Sequence, residues 1–129
     1  MPKTQVRTAI IPSASNDAAA TTRGRLDVSA VDGGIVTFAI TNGATGPTVQ
    51  CEARVMVAHK NSAMPAAGAE GSGDLAWKQV YVLGGGSANN AKTRGVYRFG
   101  PEIAYLQIEF TDNTAQAVTV EAHATTFVY

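Results

Sequence analysis

Apolar and polar residues alternate along most of this chain, and no segment keeps an i, i+3, i+4, i+7 apolar stripe for three helical turns. A period of two sends successive side chains to opposite faces of an extended backbone, so the pattern predicts an all-β protein. The first predicted strand is 4 to 11, with Val6, Thr8 and Ile10 in phase and Pro12 ending it. In 25 to 31, Leu26, Val28 and Ala30 oppose Arg25, Asp27 and Ser29, and Asp32-Gly33-Gly34 supplies residues that accept a positive φ. With Val36, Phe38 and Ile40 inward over 35 to 41, residues 25 to 41 read as a hairpin that ends at Asn42-Gly43.

The longest alternating run follows Gly46-Pro47, with Val49, Cys51, Ala53, Val55 and Val57 on one side and Gln50, Glu52 and Arg54 on the other. Segments 75 to 83 and 95 to 99 are rich in aromatic and β-branched residues, and their facing is ambiguous. In 103 to 110, Ala104, Leu106, Ile108 and Phe110 oppose Tyr105, Gln107 and Glu109. In 116 to 128, Val118, Val120, Ala122 and Ala124 oppose Thr119, Glu121 and His123, and residues 111 to 114 are the turn before it.

Eight short strands separated by turns fit a two-sheet antiparallel sandwich, either immunoglobulin-like or, as the expected form, a jelly roll of about eight strands. Three segments do not alternate: 12 to 24, 60 to 74 and 84 to 94, built from Ala, Gly, Ser, Asn and Thr. Such residues order cheaply against another surface but form no core of their own. The expected organisation is an extended N-terminal arm, 1 to 24, followed by one β-sandwich domain, 25 to 129. Asp17 to Thr22 has room for one helical turn capped by Asn16 or Asp17.

At 129 residues the chain suits one domain, and a domain of that size buries about two-thirds of its unfolded surface without staples. Its single cysteine, Cys51, falls in phase with Val49 and Val55 and reads as a small buried apolar residue. No apolar run approaches the roughly 20 residues that cross a bilayer as a helix, and the N-terminus lacks a signal-peptide apolar stretch, so a soluble protein is expected. Ten basic and ten acidic residues cancel, and only 16% of the chain is charged, which argues against an electrostatic binder of nucleic acid or membrane. Locally, Lys3, Arg7, Arg23 and Arg25 meet only Asp17 and Asp27 over residues 1 to 31, an excess that suits a solvated arm and an arm lying on an acidic partner surface equally.

Catalytic and ligand-binding motifs are weak. Gly86 to Thr93 matches a phosphate-binding loop except at Ala91, but Arg94 to Phe99 reads as strand where that loop needs a helix, so an inter-strand loop is the better reading. Glu121 and His123 share a strand face two residues apart, too few ligands for a metal, which leaves a solvated or interface histidine. Carboxylates are scattered over separate strands and loops, so no acid/base pair is visible. Trp77, Tyr81, Tyr97 and Tyr105 would serve as a sugar platform if coplanar and exposed; core or interface positions are the simpler reading.

A neutral, Ala/Thr/Gly-rich all-β chain with the stretch MPKTQVRTAIIPSASNDAAATTRG, the segment GSGDLAWKQVYVL and the ending RGVYRFGPEIAYLQIEFTDNTAQAVTVEAHATT resembles tailed-bacteriophage virion proteins. More narrowly, it is similar to the decoration or cement proteins of phage heads. The resemblance implies a non-enzymatic protein without cofactor or metal, located on the outer capsid surface of the virion and made in the host cytoplasm. It also implies the major capsid protein and copies of itself, as dimer or trimer, as partners, with no direct nucleic acid and no membrane. Contacts are then expected in 1 to 24, 60 to 74 and 84 to 94, with Lys3, Arg7, Arg23, Arg25, Met64, Lys92 and Arg94 as candidate contact residues. A tail, baseplate or fibre subunit and a carbohydrate-binding β-sandwich module are the alternatives, and a nuclease or hydrolase would need a cluster of carboxylates or histidines.

Overall fold

In the computed structural model, residues 3 to 129 are described, and every regular element among them is a strand; no helix is long and apolar enough to cross a membrane. The strands are β1 (Thr4–Asn16), β2 (Thr22–Asp27), β3 (Gly33–Asn42), β4 (Glu52–Ala58), β5 (Lys78–Gly84), β6 (Lys92–Phe99), β7 (Tyr105–Thr111) and β8 (Val118–Val128). Two four-stranded sheets run in the orders β1-β8-β3-β6 and β2-β7-β4-β5. First pairs with last, second with seventh, third with sixth and fourth with fifth, all antiparallel. This is the arrangement obtained by rolling one long four-layered hairpin into two sheets, the jelly roll.

The alternation marks most of the inward set: Val36, Phe38 and Ile40 on β3, Val118, Val120, Ala122 and Ala124 on β8, and Leu106, Ile108 and Phe110 on β7 fill the space between the sheets, whereas Ala104, just before β7, packs instead with Trp77. Cys51 and Val55 join them, all fully enclosed, whereas Val49 lies before β4 and is half exposed. Alternation puts Met56 on the opposite side of its sheet from Val55, and the register shift beside them falls on β5, where Val80 is skipped between Gln79 and Tyr81.

Two local expectations are corrected. Residues 25 to 41 do not form a hairpin, because β2 pairs with β7 in one sheet and β3 with β8 and β6 in the other. Val28 is buried at the crossing, its N–H given to the Ala104 carbonyl, and Gly33 and Gly34 belong to β3 itself. Residues 111 to 114 lie in the expected connection, which carries the chain from β7 to the other sheet. No helical turn forms after Asn16; Ala19 takes a positive φ of 63° and the chain bends into β2.

Most of the stretch expected to be an arm is strand. β1 runs through Pro12 as an edge strand paired only with β8, and its register shifts twice, between Ala9 and Ile11 and between Ile11 and Ala14. Pro12 sits in the second irregularity, where its missing N–H costs the ladder nothing. Met1 and Pro2 lie outside the described residues.

Candidate partner-binding faces

The two outer faces of the sandwich differ. On the β2-β7-β4-β5 side, every residue of β7 is buried, including the outward-facing Tyr105, Gln107 and Glu109. The segment between β4 and β5 folds back over this face as a roof. Trp77, 2% exposed, packs with Met56, Ala58, Ala104 and Tyr105, and its indole N–H donates to the Ala66 carbonyl at 2.9 Å. The Tyr105 hydroxyl donates to the Asn61 carbonyl at 2.8 Å, and Arg25 reaches the Pro65 carbonyl at 2.8 Å.

Beside the roof, Glu109 is buried between two arginines. Arg23 Nε lies 2.6 Å from one carboxylate oxygen and Arg54 3.5 Å from the other, while Arg54 also reaches Glu52 at 2.7 Å and Asp112 at 2.6 Å. Hydrogen bonding to Glu52, reinforced by the charges of Asp112 and Glu109, holds the Arg54 pKa above its ordinary value against the opposing effect of burial. These charges satisfy one another, as buried charges must.

The β1-β8-β3-β6 face carries no such roof among the described residues. Many of its outward positions are small or β-branched, Thr37, Ala39 and Thr41 on β3 and Thr119 and Thr125 on β8, with Glu121, His123 and Phe127 in the same phase of β8. Along β6 the outward positions are Lys92, Arg94, Val96 and Arg98, and at the far edge Arg7 stands opposite Thr125 while Lys3 lies 5.7 Å over the Phe127 ring. The neutral chain is therefore polarised: five of its ten basic residues border this face, where the one acidic side chain on its strands is Glu121, 3.7 Å from His123. A shallow hollow of about 180 Å³ lies between Arg94 and Val96 of β6 and Glu121 and His123 of β8, floored by Thr37 and Ala39.

The candidate contact residues thus fall on different surfaces. Lys3, Arg7, Lys92 and Arg94 border the open face, joined by Arg98, which the sequence reading left out and which the spacing Lys92, Arg94, Arg98 could have supplied. Arg23 and Arg25 lie on the roofed side in contacts within the chain, and Met64 is half-buried against the Trp77 cluster. Of the non-alternating segments, most of 60 to 74 is part of the roof, and 84 to 94 is a loop between β5 and the first residues of β6. That loop is pinned: Asn42 Nδ2 donates to the carbonyls of Gly86 and Ala88 at 3.2 and 2.9 Å, and Gln50 accepts from the Gly86 N–H at 3.0 Å. The segment that resembles a phosphate loop runs directly into β6, with no helix to face a phosphate.

The aromatic residues form no platform. Trp77 and Tyr105 are buried under the roof, while Tyr81 and Tyr97 pack inward, with Tyr81 edge-on to Phe38 at 5.9 Å. Among the described residues no group of three or more His, Cys, Asp or Glu side chains could hold a metal ion. Burial pushes the Cys51 thiol up to about 11.

Pairing and sheet order define a jelly-roll β-sandwich. No protein-family model matches the chain, and no curated protein matches its sequence. Among solved structures, it is similar to the K3 cleaved adhesin domain of Lys-gingipain from Porphyromonas gingivalis, with a TM-score of 0.56 at 7% identity over 88% of this chain and 73% of that one. It is also similar to VP2 in the subviral particle of infectious bursal disease virus, with a TM-score of 0.52 at 6% identity over 98% of this chain and 33% of VP2. The SPBc2 prophage-derived protein YomS gives 0.48 at 13% identity over 98% and 96%. At these identities the likeness is one of fold.

Proposed function

We propose that this chain is a non-enzymatic structural protein of a phage virion that binds the outer surface of the head and cements neighbouring capsid subunits against internal pressure. The observation that carries the reading is the contrast between the two faces. The chain's own loop covers the middle of one sheet, whereas the other is left open, with threonine and alanine near its centre and basic residues along both edges. A broad, shallow surface of that kind suits another protein better than a small molecule, which prefers a deep cleft.

Two further considerations support it. The fold is one that VP2 uses within a subviral particle and that a gingipain uses as an adhesin domain. Bridging also gains from multivalency, because once one subunit is held the second contact becomes intramolecular. The partners are the major capsid protein and copies of this chain.

The test is to add purified protein to heads assembled without it. Saturable co-sedimentation, with DNA release moved to higher temperature, is the expected result. Absence of binding together with unchanged head stability overturns the proposal, and binding to isolated tails instead would make the chain a tail subunit.

A further inference from the structure

β6 is an edge strand guarded by charge alone. It pairs with β3 in unbroken register from Thr41 opposite Lys92 to Gly34 opposite Phe99, and no strand lies on its other side. Edge strands are normally blunted by proline, bulges, cover or charged side chains. β1, at the opposite edge of the same sheet, has Pro12 and two register shifts, and on β5 the Gln79 N–H is capped by the Glu70 carboxylate at 2.7 Å. β6 has only the last of these, its cations, which repel a like-charged strand and leave the edge open to an acidic one.

The direction of its free hydrogen-bonding groups follows from the ladder. The Asn42 N–H donates to the Ala91 carbonyl, so alternation turns the odd-numbered residues of β6 toward β3 and leaves the N–H groups of Lys92, Arg94, Val96 and Arg98 facing outward from the sheet edge. The same four residues present their side chains on the open face. Among the described residues none of these three cations is in an ion pair with a carboxylate. Gly95 between them has no side chain, and a Cβ there would sit 2.5 Å from the Phe38 ring, so β6 lies flat against the core as a regular strand.

We propose that the free edge of β6 is a docking site for an extended acidic segment of a different protein chain, which adds to the β1-β8-β3-β6 sheet as a fifth strand. Main-chain hydrogen bonds supply the binding and alternate side chains supply the selection, the logic of β-strand addition. Opposite Lys92, Arg94 and Arg98 the segment carries Asp or Glu, and opposite Val96, itself half exposed, it carries an apolar or small residue. A second copy of this chain is selected against, because antiparallel pairing of β6 with itself sets cation against cation on the same face. This deepens the capsid-binding reading by naming how a partner is held, and rests on it only for the natural source of the segment.

The experiment uses the full chain and a fluorescent synthetic peptide of the length of β6, with glutamate alternating with valine and threonine. Val96→Pro removes one outward N–H while leaving the β3 ladder whole, and Arg94→Glu with Arg98→Glu reverses the charge without touching the backbone. The expected result at low salt is binding by the wild type that both variants weaken by about tenfold or more, with no binding of a lysine-for-glutamate peptide. Equal binding by the variants, or no binding of the acidic peptide by the wild type, overturns the proposal. So does an oligonucleotide of equal charge competing as well as the peptide, or salt-sensitive self-association abolished by Val96→Pro. Heads are then tested with the same proteins. If the wild type binds heads and the variants bind equally, the edge is not the contact. If peptide binding behaves as expected while the wild type ignores heads, the capsid reading alone fails.

Discussion

Gly68 and Gln107 grip each other through two hydrogen bonds: the Gly68 N–H donates to Gln107 Oε1 at 3.0 Å, and Gln107 Nε2 donates to the Gly68 carbonyl at 2.7 Å. The side-chain amide thus stands in for a strand's backbone and stitches the roof to the middle of β7. Only a group that donates and accepts at once can do this.

Gln107→Glu keeps the shape, removes the donor and sets a carboxylate against the Gly68 carbonyl. Stability should fall by about 1 to 3 kcal/mol, the cost of a buried polar group left unsatisfied. Limited proteolysis should show faster cutting within 60 to 74 before any cut in the strands. Unchanged cleavage of that segment would mean that the Trp77 packing alone holds the roof.

Arg23 and Arg54 share Glu109, so their contributions should not add. Either Arg→Ala change leaves the buried carboxylate one cation, and the double change leaves it none. A double-mutant cycle by urea denaturation should therefore give a coupling of about 1 to 3 kcal/mol, the double variant losing more than the two single losses together. Additivity would show that Glu109 draws its stability from elsewhere.

What the sequence disclosed and what it hid divide along physical lines. Alternation is local, so the inward sets on β3, β7 and β8 and the burial of Cys51 could be read directly. Sheet membership is not local: Asp32-Gly33-Gly34 looks the same whether the next strand folds back beside its predecessor or crosses to the other sheet. Gln107 and Glu109 alternate as solvent-facing residues, and nothing in that spacing announces a roof built from 60 to 74. Trp77 and Tyr105 were legible as core or interface residues, but not which pair of aromatics faces which side. On the open face, loop composition singles out Lys92 and Arg94 but not Arg98, because the aromatic and β-branched run that marks the strand begins only at 95 whereas β6 begins at Lys92.

Cys51 should be nearly inert in the native state. Burial is the main cause of its raised pKa, with the charges of Asp112 and Glu52 adding and a hydrogen bond from the Thr111 backbone opposing. A shift from 9.0 to about 11 leaves the thiolate about a hundredfold scarcer at pH 8, so alkylation should be slower by at least that factor than in urea. The folded state holds this proton more tightly than the unfolded one. The associated stabilisation is full below pH 9 and fades as the pH rises through about 11. Native labelling as fast as in urea would place the thiol in contact with solvent.

Asn113, in the connection between β7 and β8, holds that connection to the Asn16 end of β1. It accepts from Asn16 Nδ2 at 2.6 Å and donates to the Asn16 and Gln116 carbonyls at 3.1 and 2.9 Å, while its own carbonyl receives the Ala19 N–H at 2.8 Å. Both asparagines are fully buried, so Asn113→Ala strands two carbonyls and part of the Asn16 amide away from water. The expected loss is about 2 to 4 kcal/mol, with an unchanged dependence on urea because the surface exposed on unfolding is the same. The loss should be local before it is global: amide exchange at the Asn16 end of β1 should speed up more than exchange in β3 or β7. Ala115→Gly is the contrasting change in the same turn. Ala115 holds a φ of 72°, which glycine adopts without Cβ strain, so this variant should match or exceed the wild type by up to about 1 kcal/mol. If Asn113→Ala and Ala115→Gly shifted stability equally, the turn's backbone rather than its buried amides would be what holds β1 to β8.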